Sequence, residues 1–323
     1  MKYLSHSSKT KEIKPSNAAL ISKALTNLKT PTRKSIAAYA SVTEMTVCRA
    51  VARLTDSGFA LESPMKNDAS RQISIAENLR FIILDLSADT YFAHLLTPNG
   101  KSCEQISYNF NHRADAFDNL SVFLDRAYDL ISKKTNHFSG IGIIFSLQDD
   151  NFKSQTNKLV ADRFLCPSVF NIDIPSALLS LKDSSIDSYF PSSTMYYLCL
   201  GNRNLAYFLG DGFAIRSNPQ ILIDESGKTL EEDMNRCISP EMLYDIIFKI
   251  VNSASALLDA KLFVIESDRF IFGSSISHNL AEKLKVSFTD ERRICFSDQR
   301  PNYYIKGALI ALQNEVARNI LSN

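Results

Sequence analysis

Glycine is scarce in this chain: 10 residues in 323, about 3% against a usual ~7%. Phosphate-cradling loops need bare backbone to approach the phosphates closely, so a glycine-rich nucleotide loop is not expected. Cysteine is thin as well, with six residues at 48, 103, 166, 199, 237 and 295. None stands in C-x-x-C spacing, which argues against a zinc ribbon. In a chain of this size a disulfide framework is not expected either, and reduced thiols in a cytoplasmic protein are. The five histidines (6, 94, 112, 137, 278) are equally dispersed. No run of ~18 apolar residues exists to span a membrane. The lysine-rich start, residues 1–14, has no apolar core of a signal peptide.

What is present is globular composition, 45% hydrophobic and 22% charged, in a length that suits two or three domains. The formal net charge is only +1, but it is unevenly placed. Residues 1–75 hold 12 Lys/Arg against 5 Asp/Glu, whereas 76–323 hold 24 against 30. A basic head on an acidic body points the head at a polyanion.

Helical periodicity runs through 17–29, with Ala18, Leu20, Ile21, Ala24, Leu25 and Leu28 on one side and Ser16 as its cap. Pro31 ends that helix, and Thr32 caps a second over 33–40. Thr43 then opens an amphipathic helix that turns Val47, Val51 and Leu54 inward, and Gly58 stands where a helix stop wants positive φ. Two short helices across Ser41-Val42 read as a helix-turn-helix. The run 59–61 and the alternating 72–75, around a polar tip, read as the two strands of a wing. Thr43, Glu44, Met45, Thr46, Arg49 and Arg53 are the candidates for the major groove of a double-stranded DNA operator. Arg71 on the wing is the candidate for the minor groove or a phosphate. A small helical domain that binds protein is the alternative.

The acidic remainder repeats one order twice. Strands at 81–86, 91–97 and 102–109 precede a helix over 115–134, a strand at 141–145, a helix at 152–163 and a strand at 168–172. The second half offers strands at 195–200 and 205–209 and an extended 213–223. A helix over 240–259, a strand at 262–265, a helix at 276–285, a strand at 292–296 and a closing helix at 303–321 follow. Such duplication predicts two similar α/β lobes with a ligand cleft between them. The expected domains are 1–76, 77–190 and 191–323.

This organisation resembles the ROK family of sugar-responsive repressors and sugar kinases. NAALISKAL…SIAAYASVTEMTVCRAVARLTDSGFALE looks like the winged head of the repressor branch, with Ser70-Arg71-Gln72 where those proteins have Gly-Arg-Pro. GIGIIFSL, FNIDIPSALLSL and KGALIALQNEV are similar to a body strand, the segment around the kinase catalytic Asp and the final helix. The resemblance implies an α/β fold: a duplicated ribonuclease-H-like body of the actin/hexokinase type, with two lobes and an N-terminal winged helix-turn-helix. It places Asp173 at the catalytic base and Glu225 at a ligand contact.

The chain departs from a kinase at its turns. Ser87 and Asp89 occupy the first hairpin turn, and 202–204 fill most of the second. The Glu-x-Gly-His of the family's zinc site is Glu225-Ser226-Gly227-Lys228 here, followed only by Cys237. A lysine is no zinc ligand at neutral pH. No metal, no cofactor and no catalysis are therefore expected. Asp173 can be read as a general base, as a ligand's hydrogen-bond partner or as the cap of a helix from Pro175. Glu225 is open between a ligand contact and a solvent-facing loop. The expectation is a cytoplasmic, homodimeric regulator (or a dimer of dimers) that takes a sugar or sugar derivative as effector. An active sugar kinase with an appended head, or an interaction module without a ligand, are the alternatives.

Overall fold

The structure, a computed structural model, describes residues 13–65, 70–87, 90–135, 138–145, 150–166, 168–183, 194–200, 205–210, 212–217, 240–258, 260, 262–267, 282–283, 293–297 and 303–323. Three helices open it: α1 (Pro15–Asn27), α2 (Arg33–Ala40) and α3 (Glu44–Asp56). Helix α1 begins earlier than Ser16 as cap would allow. Pro15 takes its first turn and Lys14 precedes it with no side-chain cap, because proline's fixed φ suits that turn and its missing N–H is needed least there. Thr32 and Ser35 close a reciprocal capping box on α2, and Thr43 caps α3 by accepting from the Thr46 N–H. Ser41, at φ 52°, and Gly58, at φ 73°, take the left-handed conformations that end α2 and turn the chain after α3.

Strands β1 (Ala60–Pro64) and β2 (Arg71–Ile75) pair antiparallel with Ala60 opposite Ile75. The Ile73 N–H also donates to the Pro31 carbonyl at 2.8 Å, which ties the hairpin to the α1–α2 connection. Ile21, Ile36, Val47, Val51, Leu54 and Ile73 are fully buried between these elements.

Two five-stranded sheets follow with the same order and sense. The first contains β3 (Phe81–Leu86), β4 (Thr90–Leu96), β5 (Ser102–Asn109), β6 (Gly140–Phe145) and β7 (Val169–Asn171), ordered β5-β4-β3-β6-β7. The β3–β4 and β4–β5 pairs are antiparallel, and the β3–β6 and β6–β7 pairs are parallel. The second contains β8 (Met195–Leu200), β9 (Leu205–Leu209), β10 (Ala214–Ser217), β11 (Leu262–Ser267) and β12 (Arg293–Ser297), ordered β10-β9-β8-β11-β12. Its pairing senses repeat those of the first. The helix expected at 276–285 lies mostly outside the described residues.

One face of the first sheet packs on α4 (Ala116–Ile131) and α5 (Asp150–Phe164), and one face of the second on α7 (Pro240–Leu258). The other faces share a core with α6 (Ile174–Asp183) and α8 (Tyr303–Ser322). Gly140 and Gly142 on β6 make room for this layer. A Cβ at Gly140 would come within 2.8 Å of Val316, and one at Gly142 within 2.9 Å of Ile83. Helix α8 crosses α6 so closely that any side chain at Gly307 would overlap the Ala177 carbonyl.

The C-terminal part of α8 also meets the N-terminal helices. The Thr26 hydroxyl lies 3.1 Å from Asn314 Oδ1, and Arg53 donates to the Leu321 carbonyl at 3.0 Å. Among the described residues no helix is long and apolar enough to cross a membrane.

Candidate nucleic-acid interface and buried carboxylates

Helix α3 divides its residues sharply. Val47, Ala50, Val51 and Leu54 are fully buried, while Met45, on the other side, is 63% exposed. Thr43, Glu44 and Arg49 are exposed with it. Thr46 is half-buried, and its hydroxyl is 3.0 Å from that of Thr43, so the two steady the helix start. This face presents a donor-rich cation and small polar groups at the N-terminal end of a helix, the end that favours anions.

Arg53 departs from its expected place in this face. It is half-buried, and its guanidinium is committed to the C-terminal carbonyl of Leu321. The reason is position: Arg53 lies in the last turn of α3, where α8 packs, one turn beyond Arg49. Arg71 keeps 67% of its side chain exposed and approaches Glu62 to 3.9 Å. Glu62 is held mainly by Arg33, through paired bonds of 2.8 and 2.9 Å. That fork fastens the hairpin to the start of α2, and its hydrogen bond raises the Arg33 pKa. Sequence reasoning passed over the Arg33–Glu62 pair, since nothing local links residues 29 positions apart.

Between the sheets, α8 opens on two buried carboxylates. Asp85, at the end of β3, accepts the Ser87 hydroxyl at 2.5 Å, the Ser87 N–H at 3.2 Å and the Tyr304 hydroxyl at 2.7 Å. Glu266, at the end of β11, accepts the Tyr197 hydroxyl at 2.5 Å and the Tyr303 N–H at 2.8 Å. Burial, then Glu266, pushes the Tyr197 pKa well above its ordinary value, so the phenol stays protonated and donates. Thus both sheets grip the first turn of α8. The turn residue Ser87 closes onto its own strand end, and 88–89 lie outside the described residues.

On the neighbouring strand β4, His94 is buried and stacked on Phe92, and its Nδ1 has no hydrogen-bond partner. Burial lowers its pKa to about 4 although Asp85 pulls the other way. Neither Tyr304 nor Glu266 was legible as a partner in the sequence, because Tyr304 bonds Asp85 across 219 positions and Glu266 bonds Tyr197 and Tyr303 across 69 and 37.

Asp173 carries a capping geometry. One carboxylate oxygen accepts the Ser176 N–H at 2.7 Å and the other the Ser176 hydroxyl at 2.8 Å, while its carbonyl accepts from Ala177. It is exposed at the start of α6. Glu225, Lys228, Cys237 and the turn 202–204 lie outside the described residues. Among those described, no three His, Cys, Asp or Glu converge as a metal site.

The architecture has known counterparts. A crystal structure of a ROK family transcriptional regulator, a homologue of the E. coli MLC protein, superposes with a TM-score of 0.64 at 12% identity, over 95% of this chain and 97% of that one. An inorganic polyphosphate/ATP-glucomannokinase from Arthrobacter sp. strain KM superposes with a TM-score of 0.52 at 14% identity. It covers 73% of this chain and 98% of its own. No family model matches the sequence, and no curated protein matches it by sequence. At this identity the likeness is one of fold: an α/β architecture with mixed sheets, shared by ROK proteins and sugar kinases. Over nearly its full length, the chain has the fold of a ROK regulator.

Proposed function

We propose that the chain is a DNA-binding transcriptional regulator of the ROK type. Residues 1–76 would form a winged helix-turn-helix, and 77–190 and 191–323 two lobes that sense a ligand rather than phosphorylate it. The observation that carries this reading is the outer face of α3. Its inner face is closed by core, yet Glu44, Met45 and Arg49 stand exposed beside a hairpin carrying exposed Arg71. A helix of this kind enters the major groove with its N-terminal residues on base edges and its hairpin on the backbone nearby. The likeness in fold to a transcriptional regulator over 95% of the chain supports it, since that match extends beyond the share the kinase covers.

The body is read as a sensor on two grounds. Glycine is scarce where phosphates would need bare backbone, and Asp85 is occupied by Ser87 and Tyr304. Phosphoryl transfer relies on positioning and charge neutralisation, and glycine-poor turns supply little of the bare backbone that would position phosphates. A sugar or sugar derivative is the effector class the ROK likeness suggests, and a homodimer on a two-fold operator is the expected assembly. The kinase neighbour favours one rival, a sugar kinase with an added head.

Selection from a random duplex pool, followed by polarisation titration at fixed salt, tests the first half. Enrichment of a two-fold sequence is expected, and a chain that enriches nothing and binds all duplexes alike overturns the reading. A coupled ATP assay with a hexose panel tests the second half. Turnover that vanishes in Asp173→Ala would establish the kinase instead.

A further inference from the structure

A cavity of about 480 Å³ lies where the N-terminal unit meets the body, a volume within the ~300–1,000 Å³ of small-molecule sites. Three segments and a helix enclose it: the end of α1 with its connection to Pro31, strand β2, the β4–β5 turn, and α8. Leu25, Ile75 and Pro98 supply apolar wall. Lys29 and Lys101 line it with a single acid, Glu77, so its charge is positive by one.

Gln313 from α8 also lines it and is only 1% exposed. Its Nε2 donates to the Pro98 carbonyl at 2.7 Å, but its Oε1 meets no donor. Most buried side-chain acceptors in native proteins are paired, and an orphan in a cavity wall is a place for a donor from outside the fold, a water or a ligand.

We propose that this cavity is a ligand site, separate from the space between the two sheets. The ligand would be a compact organic carboxylate that also carries a hydroxyl. The hydroxyl donates to Gln313 Oε1, the carboxylate lies against Lys29 and Lys101, and the carbon skeleton covers Leu25 and Ile75. No covalent step is involved. Because the walls come from both the N-terminal unit and the body, such a ligand would fix their relative placement, which is how a ligand biases one state over another.

The test is calorimetric titration of the full chain, without DNA, with gluconate, citrate and 4-hydroxybenzoate. At least one should bind at millimolar concentration or tighter. Lys101→Glu alters an exposed side chain and should weaken that binding by at least about tenfold. Gln313→Leu keeps the shape, removes the acceptor and should weaken it comparably, with circular dichroism checking the fold. If Gln313→Leu does not fold, Lys101→Glu alone decides. Absence of binding by all three acids, or binding that Lys101→Glu leaves unchanged, overturns the assignment. Since no DNA is present, this outcome is independent of whether α3 reads an operator.

Discussion

The outer face of α3 and the buried end of β3 both carry groups suited to binding, and the fold treats them in opposite ways. On α3, Arg49 and Met45 stand in solvent while the core seals the face behind them. At β3, Asp85 is fully buried and accepts three hydrogen bonds from Ser87 and Tyr304. The same contrast runs along α8. Its first turn is gripped by carboxylates from both sheets, whereas its last turns meet α1 and α3. Carboxylates at the ends of β3 and β11 hold a helix, and that helix reaches the unit with the open face. Asp85 and Glu266 thus serve internal geometry, while Arg49 and Met45 on α3 stay in solvent.

The comparison breaks most severely if α8 cannot take its place. Gly307 sits where a Cβ would overlap the Ala177 carbonyl, a backbone atom that cannot swing aside as a side chain can. Gly307→Val should therefore cost at or above the top of the ~1–3 kcal/mol typical of overpacking. A glycine-to-valine change in a helix would otherwise gain a few tenths of a kcal/mol, roughly the difference in their propensities. Urea unfolding reads the sign directly, and a midpoint at or above that of the unmodified chain would mean that α8 and α6 do not cross as described.

A second prediction sharpens the interior half. His94 is buried with its Nδ1 unpartnered, and its pKa falls from 6.5 to about 4. The unfolded chain thus binds a proton between pH 6.5 and about 4 that the folded chain refuses, so stability falls as the pH drops through that window. At ~1.4 kcal/mol per unit, the full loss is about 3 kcal/mol on reaching pH 4. Above pH 6.5 both states are neutral and the residue contributes no slope. His94→Leu should flatten this part of the stability profile measured by urea unfolding between pH 7 and pH 4. An unchanged profile would show that the imidazole is not held neutral in the folded chain.

How much of this was legible follows the range of the interactions. Elements set by neighbours in sequence read well. Thr32 before a basic helix, Thr43 before an amphipathic one and Gly58 after it each supply a cap or stop locally, and all three act as such. The strands of the first sheet are legible from apolar runs and turns, because each β-run is short and punctuated, whereas their order in the sheet is not. Helix α1 starts two positions before the expected residue 17, since proline can open a helix where a serine cap looks adequate. The candidate site was less legible. Arg49 and Arg53 share a helical stripe, and only the packing of α8 separates an exposed cation from one bound to Leu321. The bond between Tyr304 and Asp85 spans 219 positions, and no spacing rule reaches that far.

That pair of arginines supplies the smallest and most discriminating effect. Both lie on α3 one turn apart, and a purely sequence-based reading gives them one role. The geometry gives them two. Arg49→Ala should weaken operator binding by ~1–3 kcal/mol, the range of a lost base contact, with stability nearly unchanged. Arg71→Ala, on the hairpin, should weaken binding to all duplexes alike and reduce the salt dependence if it meets a phosphate. Arg53→Ala should instead cost ~1 kcal/mol of stability through the lost bond to the Leu321 carbonyl, with base discrimination retained. Polarisation titrations against matched and single-mismatch operators, beside urea unfolding of each variant, separate the two roles. If Arg53→Ala relaxes base discrimination as much as Arg49→Ala does, the side chain leaves α8 on binding DNA, and the inward assignment holds only for the free chain. If Arg49→Ala changes neither affinity nor discrimination, the outer face of α3 is not what meets the groove.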